Sequence, residues 1–218
     1  MRDQETAFIG KITAGVSHEF MNVLATIRET SGLMEDLLAL SRETSFPHRE
    51  KFTKILTTIR KQVSRGMEIS GRLNRFAHSM DESDARVEIN ELLNQAAFLM
   101  QRSAKLKQVR LTVNPSESTL DISIDPFRLQ LILVSCLEYC FDRTARGEIV
   151  TLQSHRTEKE IAIQCLMEPG SNSMENVQEL PHEFEEFQET LMGLNAKLFP
   201  ISSPGQQGLE LILPLIEK

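Results

Sequence analysis

The hydrophobic positions of the first eighty residues follow the period of an α-helix. Between residues 8 and 27 the apolar side chains recur at steps of four, four, three and four, and a second narrow stripe follows in residues 52–80. The first stripe comprises Ile12, Val16, Phe20, Val23 and Ile27. We predict two long helices, over residues 3–40 and 49–80, joined by a short loop that contains Pro47.

The two stripes lead to a prediction about assembly. Two helices joined by a short loop form an antiparallel hairpin, and a hairpin alone cannot enclose both of its apolar stripes. Pairing with a second copy encloses them in a four-helix bundle, so the pattern predicts a homodimer. The alternative is that the hairpin packs against the C-terminal half of its own chain.

The pattern of hydrophobic positions changes near residue 82. Alternating apolar and polar positions then predict strands, which are interleaved with three helices. Asn90 and Asp125 are the expected N-caps of the first two of these helices, and the third is expected over residues 181–198. The predicted fold class is therefore an N-terminal two-helix hairpin that dimerises into a four-helix bundle, followed by a two-layer α/β sandwich. The predicted domains are residues 1–81 and 86–218.

Composition and charge narrow the function classes. The chain has 218 residues and a formal net charge of −7, which argues against a general nucleic-acid binder because the phosphate backbone favours basic surfaces. No apolar run has the roughly 18–20 residues needed to cross a bilayer, and the charged N-terminus lacks the apolar segment of a signal peptide. We therefore expect no membrane partner.

The three cysteines indicate the compartment of the protein. Cys136, Cys140 and Cys165 are an odd count without a secretion signal, which predicts a cytoplasmic protein. Buried reduced thiols are their usual state, and a metal-binding pair formed by Cys136 and Cys140 is the alternative.

One histidine lies outside the apolar stripe of the first helix. His18 is two residues from both Val16 and Phe20, which places it about 200° around the helix from the stripe. Its face continues in both directions along the helix. The residues of that face are Lys11, Ala14, His18, Asn22, Ala25 and Glu29. Taken alone, the pair His18 and Glu19 is most simply a solvated histidine with an ordinary acidic neighbour.

Longer motifs resemble those of two-component sensor histidine kinases. The segment SHEFMNVLATI, residues 17–27, is similar to the phospho-acceptor box of that family, except that Val23 stands where proline is usual. The segment DPFRL at 125–129 resembles the start of the helix that carries the kinase's metal-binding asparagine. Residues 192–214, with their Ser-x-Pro-Gly-x-x-Gly turn, resemble the closing strand pair of the catalytic ATP-binding domain.

The resemblance implies roles for the face around His18. His18 would carry the phosphoryl group, Glu19 would hold the other ring nitrogen, and Asn22 would orient a water molecule or the partner's phosphoryl group. Response-regulator receiver domains are the implied partners. The expected docking residues are then Lys11, Ala14, Ala25 and Glu29. The small side chains of Ala14 and Ala25 let a receiver helix approach the imidazole closely.

The nucleotide site of the family is absent from the sequence in three places. Tyr139 stands at the position of the metal-binding asparagine, and no asparagine occurs between residues 125 and 142. The adenine-reading turn is reduced to Glu168, Pro169, Gly170 and Asn172, without its second glycine. The segment at 173–182 is short and contains no glycine, so the phosphate-holding lid is missing. We therefore expect no ATP, no metal and no cofactor of the chain's own, with Mg²⁺ supplied by the receiver.

These features together predict a histidine phosphotransferase. It would carry a phosphoryl group on His18 between the aspartates of two receiver domains, and the incoming acyl phosphate would supply the energy. Three alternatives remain open at this point. They are an ATP-dependent kinase with a divergent nucleotide site, a phosphatase that acts on a receiver, and a dimeric scaffold in which His18 is incidental.

Overall fold

The computed structural model describes residues 2–40, 48–80, 84–168, 180–203 and 206–215. The predicted loop around Pro47 and most of the acidic linker before residue 84 lie outside these ranges. The chain divides into two compact units. Met1–Ile12 and His78–Lys218 form the first unit, and Thr13–Ala77 forms the second.

The predicted helical hairpin is confirmed. Helix α1 spans Arg2–Leu40 without interruption and helix α2 spans Arg49–His78. Val23, which replaces the proline usual in the acceptor box, is almost fully buried and faces Gly66 of α2. A Cβ atom on Gly66 would lie 3.4 Å from Val23 Cγ1, so the glycine lets the two helices approach closely.

The predicted α/β sandwich is also confirmed, and it belongs to the first unit. Its elements are β1 (Ala85–Glu88), α3 (Ile89–Lys107), β2 (Arg110–Asn114), β3 (Asp121–Ile124), α4 (Pro126–Arg143), β4 (Ile149–Arg156), β5 (Glu160–Met167), a 3-10 helix (His182–Phe187), α5 (Gln188–Gly193), β6 (Lys197–Ser203) and β7 (Gln206–Pro214).

The strands form two sheets. Strands β1 and β3 make an antiparallel pair, and the other five strands form a sheet in the order β2-β4-β5-β7-β6. Only β2 and β4 run parallel in that sheet, and the chain between them contains β3 and α4, which provide the long crossover that a parallel pair requires. Helices α3 and α4 pack on one face of the sheet, which gives the two layers.

The inward positions of the sheet explain its stability. In β4 and β7 every second residue is buried beneath the helices, including Val150, Leu152, Leu211 and Leu213. Removing such a side chain from water contributes roughly 1.5–3 kcal/mol. The buried residues of the strands and the long apolar face of α4 therefore form one core.

The start of α4 follows the prediction, whereas the start of α3 differs from it. The Asp125 carboxylate accepts the first-turn N–H bond of α4, as expected. In α3 the N-cap is Glu88, whose carboxylate accepts hydrogen bonds from the first-turn N–H groups, so the prediction of Asn90 as the cap is wrong. The Asn90 side chain instead donates to the carbonyl oxygens of Ser116 and Ser118, and so fixes the loop after β2.

The third predicted helix is shorter than the sequence pattern indicated. A 3-10 helix and α5 together end at Gly193, and the chain enters strand β6 at Lys197. Asn195 has a φ of 52°, in the left-handed region where helices commonly terminate. The pairing of β6 with β7 therefore overrides the helical pattern at the end of this segment.

The last glycine of the Ser-x-Pro-Gly-x-x-Gly turn has a packing role that can be tested. A Cβ atom on Gly208 would overlap the backbone carbonyl oxygen of Cys165 on the neighbouring strand β5, and a backbone atom cannot move aside without breaking the β5–β7 pairing. We expect Gly208→Ala to lower the free energy of unfolding by about 3 kcal/mol. Urea denaturation followed by circular dichroism measures this change.

The control for that experiment is Gly71→Ala. A Cβ atom on Gly71 meets no atom within 4 Å on helix α2, so alanine there should leave the stability unchanged or raise it by up to about 1 kcal/mol. Equal midpoints for the Gly208→Ala and wild-type proteins would show that the strands can separate at this point without cost.

Candidate functional site

His18 lies on the solvent side of α1. The helix buries Val16 and Val23 on its opposite side, and the imidazole ring is exposed, as the stripe predicted. A protein partner can therefore reach the ring without any rearrangement of the helix.

Asn22 contacts the ring of His18. Its amide nitrogen Nδ2 lies 3.2 Å from His18 Nδ1, one helical turn along the same face. In this arrangement the amide donates to Nδ1, and the ring proton belongs on Nε2. A half-turn of the amide presents Oδ1 to Nδ1 instead, which places the proton on Nδ1 and leaves the lone pair on Nε2 free.

Glu19 is engaged by the second helix of the hairpin. Its carboxylate accepts a hydrogen bond from the guanidinium of Arg65 in an ion pair. Among the described residues it is Asn22, not Glu19, that contacts the imidazole. Arg65 was not identified from the sequence because it is 46 residues away from Glu19, and only the register of the hairpin brings the two together.

The predicted docking residues fall in both units. Ala14 and Glu29 are exposed in the second unit, and Ala25 is half-buried there. Lys11 belongs to the first unit, where its ammonium group forms an ion pair with Glu138 of α4. Partial burial lowers the pKa of Lys11, against an opposing effect of the nearby Asp142 carboxylate.

Tyr139 lies at the centre of an aromatic cluster on α4. Its ring packs edge-on against Phe184, with 5.6 Å between centroids, and the Arg143 guanidinium lies 3.6 Å from the Tyr139 ring centroid. Arg143 is held there by an ion pair of 3.2 Å with Glu183. Burial raises the pKa of the Tyr139 hydroxyl.

The same cluster has an acidic rim. A shallow cavity beside Tyr139 is lined by four carboxylates, from Glu138, Asp142, Glu183 and Glu186, against the single guanidinium of Arg143. Three of these carboxylates are paired with cations, Glu138 with Lys11, Asp142 with Lys107 and Glu183 with Arg143. The predicted remnants of the adenine-reading turn from Pro169 onward and most of the short segment at 173–182 lie outside the described residues.

The cysteines and the membrane prediction can be compared directly with the structure. Cys136, Cys140 and Cys165 are buried free thiols, and burial raises the pKa of Cys140. Within the described ranges, no group of three or more His, Cys, Asp or Glu side chains is arranged to hold a metal ion. No helix in the described part of the chain combines the length and the hydrophobicity needed to cross a membrane.

Solved structures similar to this chain are histidine kinases. No family profile and no curated protein matches it. AdeS of Acinetobacter baumannii matches with a TM-score of 0.48 at 7% identity, over 90% of this chain and 98% of that structure. A histidine kinase from Burkholderia phymatum matches with a TM-score of 0.49 at 11% identity, over 93% and 98%. ThkA, in complex with the response regulator TrrA, matches with a TM-score of 0.49 at 12% identity, over 99% of this chain and 64% of that structure.

Proposed function

We propose that this protein is a histidine phosphotransferase of a two-component phosphorelay, which carries a phosphoryl group on His18 between receiver aspartates. The observation that carries the proposal is the exposed His18 ring contacted through Nδ1 by Asn22, which leaves Nε2 directed away from the protein's own amide. When the amide turns its Oδ1 toward Nδ1–H, Nε2 carries the lone pair and points away from Asn22, as in-line attack on a phosphorus atom requires.

The transfer step uses the amide of Asn22. The lone pair of Nε2 attacks the phosphorus of an aspartyl phosphate, the bond between phosphorus and the carboxylate oxygen breaks, and the aspartate leaves as a carboxylate. Positive charge develops on the imidazole as the new nitrogen–phosphorus bond forms. When the amide of Asn22 has turned, its Oδ1 accepts a hydrogen bond from Nδ1–H of the ring. This hydrogen bond stabilises the positively charged ring. The reverse step passes the group to a second receiver.

The working unit in this proposal is a homodimer. One flank of the hairpin leaves five large apolar side chains between 39% and 72% exposed. This apolar flank comprises Phe20, Leu24, Leu56, Val63 and Met67. Its residues adjoin the buried stripes of both helices, so a second hairpin would extend the same core into a four-helix bundle.

ATP plays no part in the proposed reaction. The kinase position for asparagine is occupied by Tyr139, a packed aromatic ring without an amide oxygen to hold Mg²⁺. The cavity beside it offers a triphosphate a single guanidinium, that of Arg143, which is already paired with Glu183. The phosphoryl group instead arrives on a receiver that brings its own Mg²⁺, so the chain needs no cofactor.

Titration calorimetry tests the absence of nucleotide binding. We expect Mg-ATP injected to millimolar concentration to give no saturable heat beyond dilution, because Tyr139 and its acidic rim leave no site for the metal–phosphate group. A dissociation constant in the low micromolar range would restore the kinase alternative.

A relay between two receivers tests the function itself. One receiver domain receives a labelled phosphoryl group from acetyl phosphate, a small-molecule phosphoryl donor. A second, unlabelled receiver is then added with and without this protein. We expect label to reach the second receiver only in the presence of the protein and without ATP. Release of the label as inorganic phosphate, with no protein-bound intermediate, would support a phosphatase instead.

A further inference from the structure

Helix α2 is strongly basic although the chain is acidic. Residues Arg49–His78 contain eight Lys and Arg residues and only two Glu residues, whereas the whole chain carries a formal net charge of −7. Positive charge concentrated on one element of an acidic protein indicates an electrostatic surface with a definite direction.

Four of these residues form a continuous line along the helix. Lys54, Lys61, Arg65 and Arg72 follow one another at steps of seven, four and seven, which places them within about 40° of one another around the helix and over a length of about 27 Å. We call these four residues the basic stripe. Within the described chain Lys54 and Lys61 form no ion pair, whereas Arg65 and Arg72 are paired with Glu19 and Glu68.

The basic stripe lies on the same side of the hairpin as His18. Arg65 is in contact with Glu19, the residue next to His18. Gly66 faces Val23, and Lys61 precedes Gly66 by five residues, so in the antiparallel hairpin Lys61 lies level with the segment from Ala25 to Glu29. A partner seated over the face from His18 to Glu29 would accordingly border both Arg65 and Lys61.

The two sides of the hairpin differ in character. The buried stripes of the two helices separate two sides of the hairpin. Leu24 and Val63 of the apolar flank lie on one side of these stripes, and the contact between Glu19 and Arg65 lies on the other side. The apolar side is suited to a second copy of the chain. The basic side, which carries His18, remains open when that apolar side is covered.

We propose that the basic stripe is the surface that attracts and docks the acidic face of a phosphorylated receiver, and that Lys54 and Lys61 set the rate of encounter. This inference rests on the proposed function. A protein that holds an aspartyl phosphate and Mg²⁺ needs several carboxylates around that site, because carboxylate oxygens are the ligands that Mg²⁺ prefers. Such a site presents concentrated negative charge, which is complementary to the unpaired lysines of the basic stripe.

Charge reversal tests the proposal. The double variant Lys54→Glu/Lys61→Glu is compared with the control Arg156→Glu/Lys159→Glu, which makes the same change of net charge at exposed positions, the last residue of β4 and the residue before β5. The probe is a receiver domain labelled through acetyl phosphate, and rapid-quench measurements give the second-order rate of transfer at several salt concentrations.

We expect the stripe variant to lose at least about tenfold in the second-order rate at low ionic strength, with the deficit shrinking as salt is added. The control should stay within about twofold of wild type, and both variants should transfer at the wild-type rate when the receiver is saturating. Circular dichroism and sedimentation check that both variants are folded and assembled as wild type. If the stripe variant is not, the neutral pair Lys54→Gln/Lys61→Gln replaces it.

The outcomes separate this inference from the proposed function. Equal rates in the stripe variant and the control, with transfer intact in wild type, would overturn the docking surface alone. Absence of transfer to wild type from every receiver tried would overturn the proposed function and the docking surface with it. Binding of anionic vesicles or duplex DNA that is lost only in the stripe variant, with unchanged transfer rates, would assign the stripe to a different partner and contradict the proposal.

Discussion

Replacing His18 by alanine is expected to abolish phosphoryl transfer completely while leaving the fold and the assembly intact. His18 is exposed on α1 and its ring forms a hydrogen bond with the exposed Asn22 side chain, so its loss removes little packing. Alanine is also a better helix former than histidine. His18 supplies the only imidazole on that face, and the amide of Asn22 beside it is too weak a nucleophile to accept the phosphoryl group.

The matched control is His155→Ala. His155 is an exposed histidine near the end of β4, outside the face of His18. Label from a phosphorylated receiver should appear on the wild-type protein and on His155→Ala at equal rates, and should be undetectable on His18→Ala. Label retained by a folded His18→Ala protein would show that another residue is the acceptor.

The second large effect is expected at the apolar flank. Leu24 is 47% exposed there, and burial of such a side chain contributes roughly 1.5–3 kcal/mol. In a symmetric dimer each substitution occurs twice, and glutamate also adds a charge that would have to be buried. We expect Leu24→Glu to raise the dissociation constant of the dimer at least about a hundredfold and to give monomers at micromolar concentration.

The control is the same substitution at another leucine of α1. Leu33 is 50% exposed, but its helical position lies on the side of His18 and not on the apolar flank. Sedimentation velocity should therefore show a dimer for Leu33→Glu and a monomer for Leu24→Glu. A wild-type protein that sediments as a monomer at micromolar concentration would contradict the homodimer proposal.

Much of the fold could be predicted because its signals are local. Helical periodicity in the first eighty residues predicted the hairpin, and Asp125 before Pro126 predicted the start of α4. The third helix of the α/β domain was predicted too long, because the pairing of β6 with the next strand, β7, places the residues from Lys197 onward in the sheet. The cap at Asn90 was wrong because Glu88, two residues earlier, reaches the same N–H groups.

The contacts of the candidate site also fall into those that local sequence predicts and those that it does not. The exposed side of His18 and its closeness to Asn22 follow from spacing along one helix. The ion pair of Glu19 with Arg65 depends on the register between two helices, and the ion pair of Arg143 with Glu183 joins residues 40 positions apart along the chain. Neither pairing has a signal in local sequence, so both required the structure.

The chemical nature and position of the transferred phosphate test the central proposal most directly. After incubation with a labelled receiver and no ATP, the protein is isolated, the stability of its label in acid and in base is measured, and the labelled peptide is located by mass spectrometry. The proposed function predicts a label that is lost in acid, retained in base and located on His18. An acid-stable label, or a label on any residue other than His18, would contradict it.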